Sequence, residues 1–496
     1  MKRIVVFTIT ALLCLPLCVR AQNFEEEFKA FERQSRQKFQ HFSDSINKAF
    51  AAAMVENMRV FKGEPAKVKD PKPKPAVPPT HYPEAKPSDL PEQAPMQEPE
   101  AKPKPEPKVP AVDEPSETPA DPLRQTQPTG NDDFVSFDLF GREVAAAVPR
   151  FASRLGGLQA SDVAGFWLQL SDWDFQSLLT ECREKRKKEQ FNDWAVCQLI
   201  FQMAEHIFPE QYNEQVVFSV FMLNQLGIEA KVGFAERNLF CLLAIEQQVY
   251  GVVFAIINGT HYYVFNLDPK IRNAAEEFSF SSYKNAYPQP TRAMDMNLQV
   301  PLYVEFQKYD SLINKSVEKH IYIDGDMIKL FATYPQLDVA VYANAKPSEV
   351  FCQSVGAMFK PVLQGKSPYE AVKYLLAYVQ YSFAYATDDE QFGFEKPFFC
   401  EESYYYPKND CEDRSVLFSF LVRYLLDMDV VLIDYPGHIA TAVHFATPVE
   451  GASVMHGGKS YVICDPTYIG ASIGMEMPDF TPSDRTVVPL KRMGKK

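Results

Sequence analysis

Between Gly63 and Gly130 the chain is built largely of Pro, Lys, Glu and Ala, as in Pro71-Lys72-Pro73-Lys74-Pro75 and Pro103-Lys104-Pro105-Glu106-Pro107. Proline fixes φ and has no amide hydrogen, and the stretch offers too little apolar surface to offset the entropy lost on folding. It is expected to be disordered, a semi-rigid spacer reaching on the order of 200 Å at about 3.1 Å per residue. The excess among the 38 prolines falls mostly there. Any large core must therefore come from Asp132 onward, a length that allows more than one folded unit.

Ahead of the spacer, Lys2 and Arg3 precede an apolar run from Ile4 to Cys18, with Val19 and Ala21 at the small-residue positions before Gln22. This pattern predicts a cleaved secretory leader over residues 1–21, and hence an exported protein, periplasmic or secreted. No later run is long and apolar enough to span a bilayer. Phe24, Phe28, Phe31, Phe39, Phe42, Ile46, Phe50 and Met54 then recur mostly at three- or four-residue spacing, which predicts an amphipathic helix within residues 22–62. Its polar face carries both signs of charge, so docking on its own protein or on a cell-envelope partner is expected before docking on a membrane.

A net charge of −13 and a pI near 5.3 argue against nucleic acid as a partner, and the basic end from Lys491 to Lys496 is too short to change that. Of the 9 cysteines, Cys14 and Cys18 leave with the leader. Cys182, Cys197, Cys241, Cys352, Cys400, Cys411 and Cys464 remain. An odd number in an exported chain points to an unpaired thiol, either reactive or simply buried. The absence of Cys-x-x-Cys pairs or His/Cys clusters leads us to expect no metal and no other cofactor.

The remainder shows a partial internal repeat at an offset of 200 residues. Val216-Val217-Phe218-Ser219 matches Val416-Leu417-Phe418-Ser419, and each helical run leads into a strand-like one, Ala230 to Phe234 and Val430 to Ile433. Strands are expected at Leu298 to Phe306, His320 to Ile323 and Leu337 to Tyr342, with a turn at Asp324-Gly325-Asp326, and a helix at Tyr369 to Tyr381. Long helices mixed with antiparallel-looking strands, without regular alternation, predict an α+β fold.

Asp410-Cys411-Glu412-Asp413 stands directly before a helical pattern, with Asp410 as N-cap and Asp413 completing a capping box. Cys411 then lies in the first helical turn, where the dipole and the unpaired N–H groups favour thiolate. Glu412 and Asp413 oppose this, and Arg414 offsets part of their charge. A buried structural cysteine is the plainer alternative for the position taken alone. The order of elements beyond this helix shifts the balance: a strand from Val430, a Pro436-Gly437 turn, a strand from His438 to Phe445, and a strand from Tyr461 ending at Asp465-Pro466. In a hairpin whose facing residue numbers sum to about 903–906, Asp465 lies near Ala440 and diagonal to His438, where its carboxylate can hold the imidazole. His444, the rival base, is about 20 Å along the same strand face at about 3.3 Å per residue.

The motifs Asn409-Asp410-Cys411-Glu412-Asp413-Arg414, Pro436-Gly437-His438-Ile439-Ala440 and Asp465-Pro466-Thr467 together resemble the transglutaminase-like superfamily. Within it, the leader Asp388-Asp389-Glu390-Gln391-Phe392-Gly393 resembles that of a group of secreted bacterial proteins. The resemblance covers about Ser367 to Gly474. It implies a papain-like core, a helix carrying Cys411 packed on an antiparallel sheet carrying His438 and Asp465, acting as nucleophile, base and orienting acid. The chain departs from the family in having Ile439 where an aromatic often follows the histidine. That leaves the oxyanion donor open among the Cys411 N–H, Gln391 and Asn409.

In the first copy the 200-residue offset puts Gln211 and Asn238 where Cys411 and His438 stand, and Asp268-Pro269 weakly echoes Asp465-Pro466. A catalytically silent copy is expected, with Trp167, Trp173 and Trp194 as core residues. The expected map is a leader (1–21), amphipathic helix (22–62), disordered linker (63–131), degenerate repeat (132–290), β-rich connecting segment (291–350) and catalytic domain (351–496). The expected activity is thiol-dependent acyl transfer on a peptide amide, hydrolysis before cross-linking because nothing identifies an amine site. The alternative is a binding or scaffolding protein that keeps the fold without the chemistry.

Overall fold

The computed structural model describes residues 44–69, 132–267, 278–302, 312–314 and 321–493, a mixture of helices and antiparallel sheets. The leader, Phe24 to Phe42, most of the Pro-rich stretch and Asp268 lie outside these residues.

The helix Cys411–Leu426 lacks a polar face, because apolar residues fill positions all round it between Val416 and Val422. Every side chain from Cys411 to Arg423 is buried. Such a helix has to be central. It packs between the helix Pro368–Ser382 and the strand His438–Val443. Truncating one of its inward residues, such as Leu421 to alanine, would cost about 2–5 kcal/mol. The flanking helix starts at Ser367, whose hydroxyl accepts from Glu370 N, with Pro368 in the first turn where its missing N–H costs nothing.

Beside the cysteine helix lies a five-stranded sheet in the order Ser453–His456, Lys459–Cys464, His438–Val443, Val430–Tyr435, Thr486–Pro489. The strands carrying His438 and leading to Asp465 pair Thr441 with Cys464 and Val443 with Val462, within the range expected from the sequence, although Ser453–His456 intervenes along the chain so that the two are not a hairpin. The first and last strands of this order were not anticipated.

Ahead of it, a six-stranded sheet runs Met58–Lys62, Ser279–Tyr283, Ala230–Phe234, Leu239–Ala244, Thr260–Phe265, Phe254–Ile257, against the helix Tyr212–Gln225. Four neighbouring strands correspond in order to four of the second sheet. Ala230 pairs Leu243 where Val430 pairs Val443, both partners displaced by 200 residues, and Cys241 pairs Phe265 where Thr441 pairs Cys464.

Residues 44–56 are helical, and Phe50 and Met54 are buried on the first unit, Phe50 within 5.0 Å of the Trp167 ring. Asn47 anchors this docking, its Oδ1 accepting from Trp167 Nε1 and the Tyr287 hydroxyl, each at 3.0 Å. The helix stops short of the expected 62: Met58–Lys62 is a strand paired with Ser279–Tyr283, and Glu64 still bonds Phe254. Trp167 and Trp194 are buried, whereas Trp173 is only half-buried, packed against the core.

The connecting segment is not β-rich among its described residues. It holds two three-residue strands, Leu312–Asn314 and Tyr322–Asp324, and the helices Gly325–Phe331 and Val339–Asn344. The run from Leu337 to Tyr342, expected as a strand, is largely the second of these helices. Short apolar runs have no periodicity that separates strand from buried helix, and here Val339, Val341 and Tyr342 are all inside. Asp324, expected in a turn, instead caps the first helix, accepting from Asp326 N at 2.9 Å. One apolar core runs through both sheets, their helices and this segment, with Phe331 stacked on Phe399 at 4.2 Å. Among the described residues no helix is long and apolar enough to cross a membrane.

Candidate functional site

The start of the cysteine helix is held by reciprocal caps. Asp413 Oδ2 accepts from Asp410 N at 3.1 Å, Asp410 Oδ1 accepts from Asp413 N at 3.4 Å, and Asp413 Oδ1 also accepts from Phe398 N at 2.9 Å. Cys411, 2% exposed, donates its thiol hydrogen to Glu412 Oε2 at 3.0 Å. One turn on, Ser415 Oγ donates to the Ile439 carbonyl at 2.8 Å, tying the helix to the strand residue beside His438. Arg414 is buried and donates to the Phe383 carbonyl at 2.6 Å. Desolvation lowers its pKa, and Asp413, Asp410 and Cys411 act in the opposite direction.

His438 opens its strand after the Pro436-Gly437 turn, where Gly437 takes φ +72°, a conformation that suits glycine. Its Nε2 lies 2.8 Å from Asp465 Oδ2, and both side chains are buried. A carboxylate only accepts, so Nε2 carries the hydrogen and Nδ1 is the basic nitrogen of the neutral ring. Asp465 is itself fixed, because its Oδ1 accepts from Thr467 N at 2.8 Å and Tyr468 N at 3.1 Å. Further supports of this pair come from residues that the sequence did not single out. Gln380 Nε2 reaches the carbonyls of Asp465, Tyr468 and Ala471 at 3.0–3.1 Å. Phe480 lies parallel to the imidazole, 3° between planes and 5.5 Å between centroids, and stacks on Tyr435 at 4.4 Å. Phe480 is thus an aromatic neighbour of the imidazole that comes from a distant part of the chain. At 42 residues' distance from His438 no sequence spacing pointed to it.

The structure thus brings His438 and Asp465 together and packs the start of the Cys411 helix against the histidine strand, with the Sγ of Cys411 turned to Glu412. His444 is directed elsewhere, its Nδ1 2.9 Å from the Ser460 carbonyl. Gln391 Nε2 donates to the Lys408 carbonyl at 3.2 Å and Asn409 Nδ2 to the Ser403 carbonyl at 3.3 Å, so each amide already has one N–H engaged. Asp388, Asp410 and Asp413 bring carboxylate oxygens within 4.8 Å of one another, and backbone N–H groups, among them Lys396 N on Asp388, bond all three.

In front of His438 opens a groove of about 500 Å³. Glu412, Asp434 and Gly437 line it from the second unit, and Tyr250 and Asp338 from the first unit and the connecting segment. Gln391 and Asn409 are not among its lining residues.

At the corresponding place in the first unit, Gln211 stands at the N-cap position of the helix Tyr212–Gln225, its side chain making no capping bond, and Asn238 precedes the strand Leu239–Ala244. The strand register corrects the expected third member. Phe265 takes the place of Cys464, so Asn266, not Asp268, follows where Asp465 stands. Gln211, Asn238 and Asn266 line one cavity of about 290 Å³ beside Glu210 and Glu214, and none of the three carboxamides can serve as nucleophile or base.

No family profile matches this chain, and no curated protein or solved structure matches it.

Proposed function

We propose that this protein is an exported thiol acyltransferase with a papain-like, transglutaminase-like core, acting on peptide amides and passing the acyl group to water. The observation that carries the reading is the buried 2.8 Å bond between His438 Nε2 and Asp465 Oδ2. It leaves Nδ1 to receive a proton, on a strand that Ser415 ties to the cysteine helix. In the reaction, Cys411 turns from Glu412 to the ring, its proton passes to Nδ1, and the thiolate attacks the carbonyl carbon. The C–N bond breaks as His438 returns the proton to the leaving amine. Water, deprotonated by the same nitrogen, then releases the acyl group from sulfur. Asp465 keeps Nε2 protonated throughout and offsets the imidazolium charge. Hydrolysis is placed before cross-linking because no sequence motif marks a dedicated amine acceptor.

We read the first unit as a degenerate second copy, supported by its matching strand order and registers and by the carboxamides in place of all three reactive groups. Its persistence supports a second reading, a binding or scaffolding protein of the cell envelope. The near-complete burial of Cys411 and its bond to Glu412 favour that reading as well.

A thiol-directed, peptide-like activity probe separates the two. Labelling of the folded wild type that is lost in Cys411→Ala and strongly reduced in His438→Ala is the expected result. Equal labelling of all three proteins would leave the binding-protein reading standing.

A further inference from the structure

We propose that the groove in front of His438 receives an extended, lysine-bearing peptide segment, its basic side chain taken up by the carboxylates around Glu412. Four acidic residues, Asp338, Glu395, Glu412 and Asp434, line the groove against one lysine, Lys69, the imidazole of His438 and no arginine. Charge of one sign in a cleft with low-dielectric walls focuses the field and selects the opposite charge. Glu412 is the most buried of the four, its side chain 3% exposed; it accepts from the Cys411 thiol on one oxygen, and a carboxylate so far from water also favours a cation on the other.

The chain itself shows the kind of occupant. Residues 64–69 leave the edge of the six-stranded sheet in extended form, Glu64 N donating to the Phe254 carbonyl at 2.7 Å and Gly251 N to the Lys67 carbonyl at 3.0 Å. Lys69 then enters the groove, Nζ 3.8 Å from Glu412 Oε1 and 5.6 Å from the centre of the Tyr250 ring. Lys67 Nζ donates to Gln248 Oε1 at 2.9 Å on the way in. An extended backbone delivering an ammonium group between a carboxylate and an aromatic face is the recognition pattern that a peptide arriving in trans would reproduce. About 500 Å³ leaves room for such a peptide's side chains once Lys69 withdraws. Lys69 thus acts as a competitor held in cis.

The inference deepens the function proposed above and rests on it for the peptide's fate, whereas its binding can be measured separately. The test uses the full chain carrying Cys411→Ala, so binding is read without turnover and a failure of the proposed chemistry does not touch the result. A fluorescent peptide with the sequence of residues 66–69 repeated is compared by anisotropy with one carrying Glu for Lys. The Lys peptide is expected to bind at least about tenfold tighter, and Lys69→Ala to tighten it several-fold further. Glu395→Gln with Asp434→Asn should weaken it about tenfold, while Asp172→Asn with Asp174→Asn, equal in charge but on the exposed surface of the first unit, should change it little. Equal affinity for both peptides, no binding by the folded Lys69→Ala protein, or equal weakening by the two charge pairs would each overturn the proposal.

Discussion

Ser415 Oγ donates a 2.8 Å bond to the carbonyl of Ile439, joining the helix one turn beyond Cys411 to the strand one residue beyond His438. Both groups are buried, so removing the hydroxyl leaves a desolvated carbonyl short of a donor. Ser415→Ala is expected to lower stability by about 1–3 kcal/mol, read as a fall in the urea midpoint at unchanged slope. An unchanged midpoint would show that the bond contributes nothing.

The two strand histidines give opposite expectations. His438→Ala should suppress amide turnover about as far as Cys411→Ala. Asp465→Asn, which retains the acceptor for Thr467 N and Tyr468 N but presents an NH₂ to the ring, should cost less, roughly two to four orders of magnitude. His444→Ala should change turnover little, since its ring is engaged with Ser460. Circular dichroism establishes folding in each case, and full activity in folded His438→Ala would sink the assignment.

Cysteine chemistry offers a check without a substrate. Burial pushes the thiols of Cys400 and Cys464 well above their ordinary range, and that of Cys182 up to about 12. Under iodoacetamide near neutral pH, Cys411 is expected to be carbamidomethylated before Cys400 and Cys464, by mass spectrometry of the native protein. Slower or equal modification of Cys411 would count against an activated thiolate.

Glu401, with no exposed surface, accepts from Ser348 N at 2.6 Å, and burial raises its pKa to about 8. The folded state therefore holds a proton that the unfolded chain releases near its ordinary value of about 4.5. The resulting stability is fully present below that value and is lost as pH rises to about 8. Glu401→Gln keeps an acceptor for Ser348 N and removes the titration. Its unfolding free energy should fall less steeply than that of wild type between about pH 5 and 8, by on the order of a kcal/mol or more. Parallel pH curves would contradict this.

Much of the candidate site was legible because its signals are local. The capping box of Asp410 and Asp413, the apolar spacing of Val372, Leu375, Leu376 and Val379 in Pro368–Ser382, and the register between the His438 strand and the strand leading to Asp465 each involve neighbours or simple strand geometry. Asn266 was missed because its position follows from strand pairing, which here departs from the 200-residue offset by one. The strand expected at Leu337 to Tyr342 became largely helix because an apolar run that short takes its conformation from what buries it.

From its own residues the sequence determined where helices and strands could start, which segment lacked the apolar surface to fold, and the order in which cysteine, histidine and aspartate arrive. Only the tertiary structure decided that Gln380 and Phe480 would hold Asp465 and His438 in place, that Cys411 would face Glu412, and that Lys69 would lie in the acidic groove. The physical reason is range. Caps and periodicity act over three or four residues, whereas contacts such as those of Lys69 with Glu412 depend on how whole elements pack.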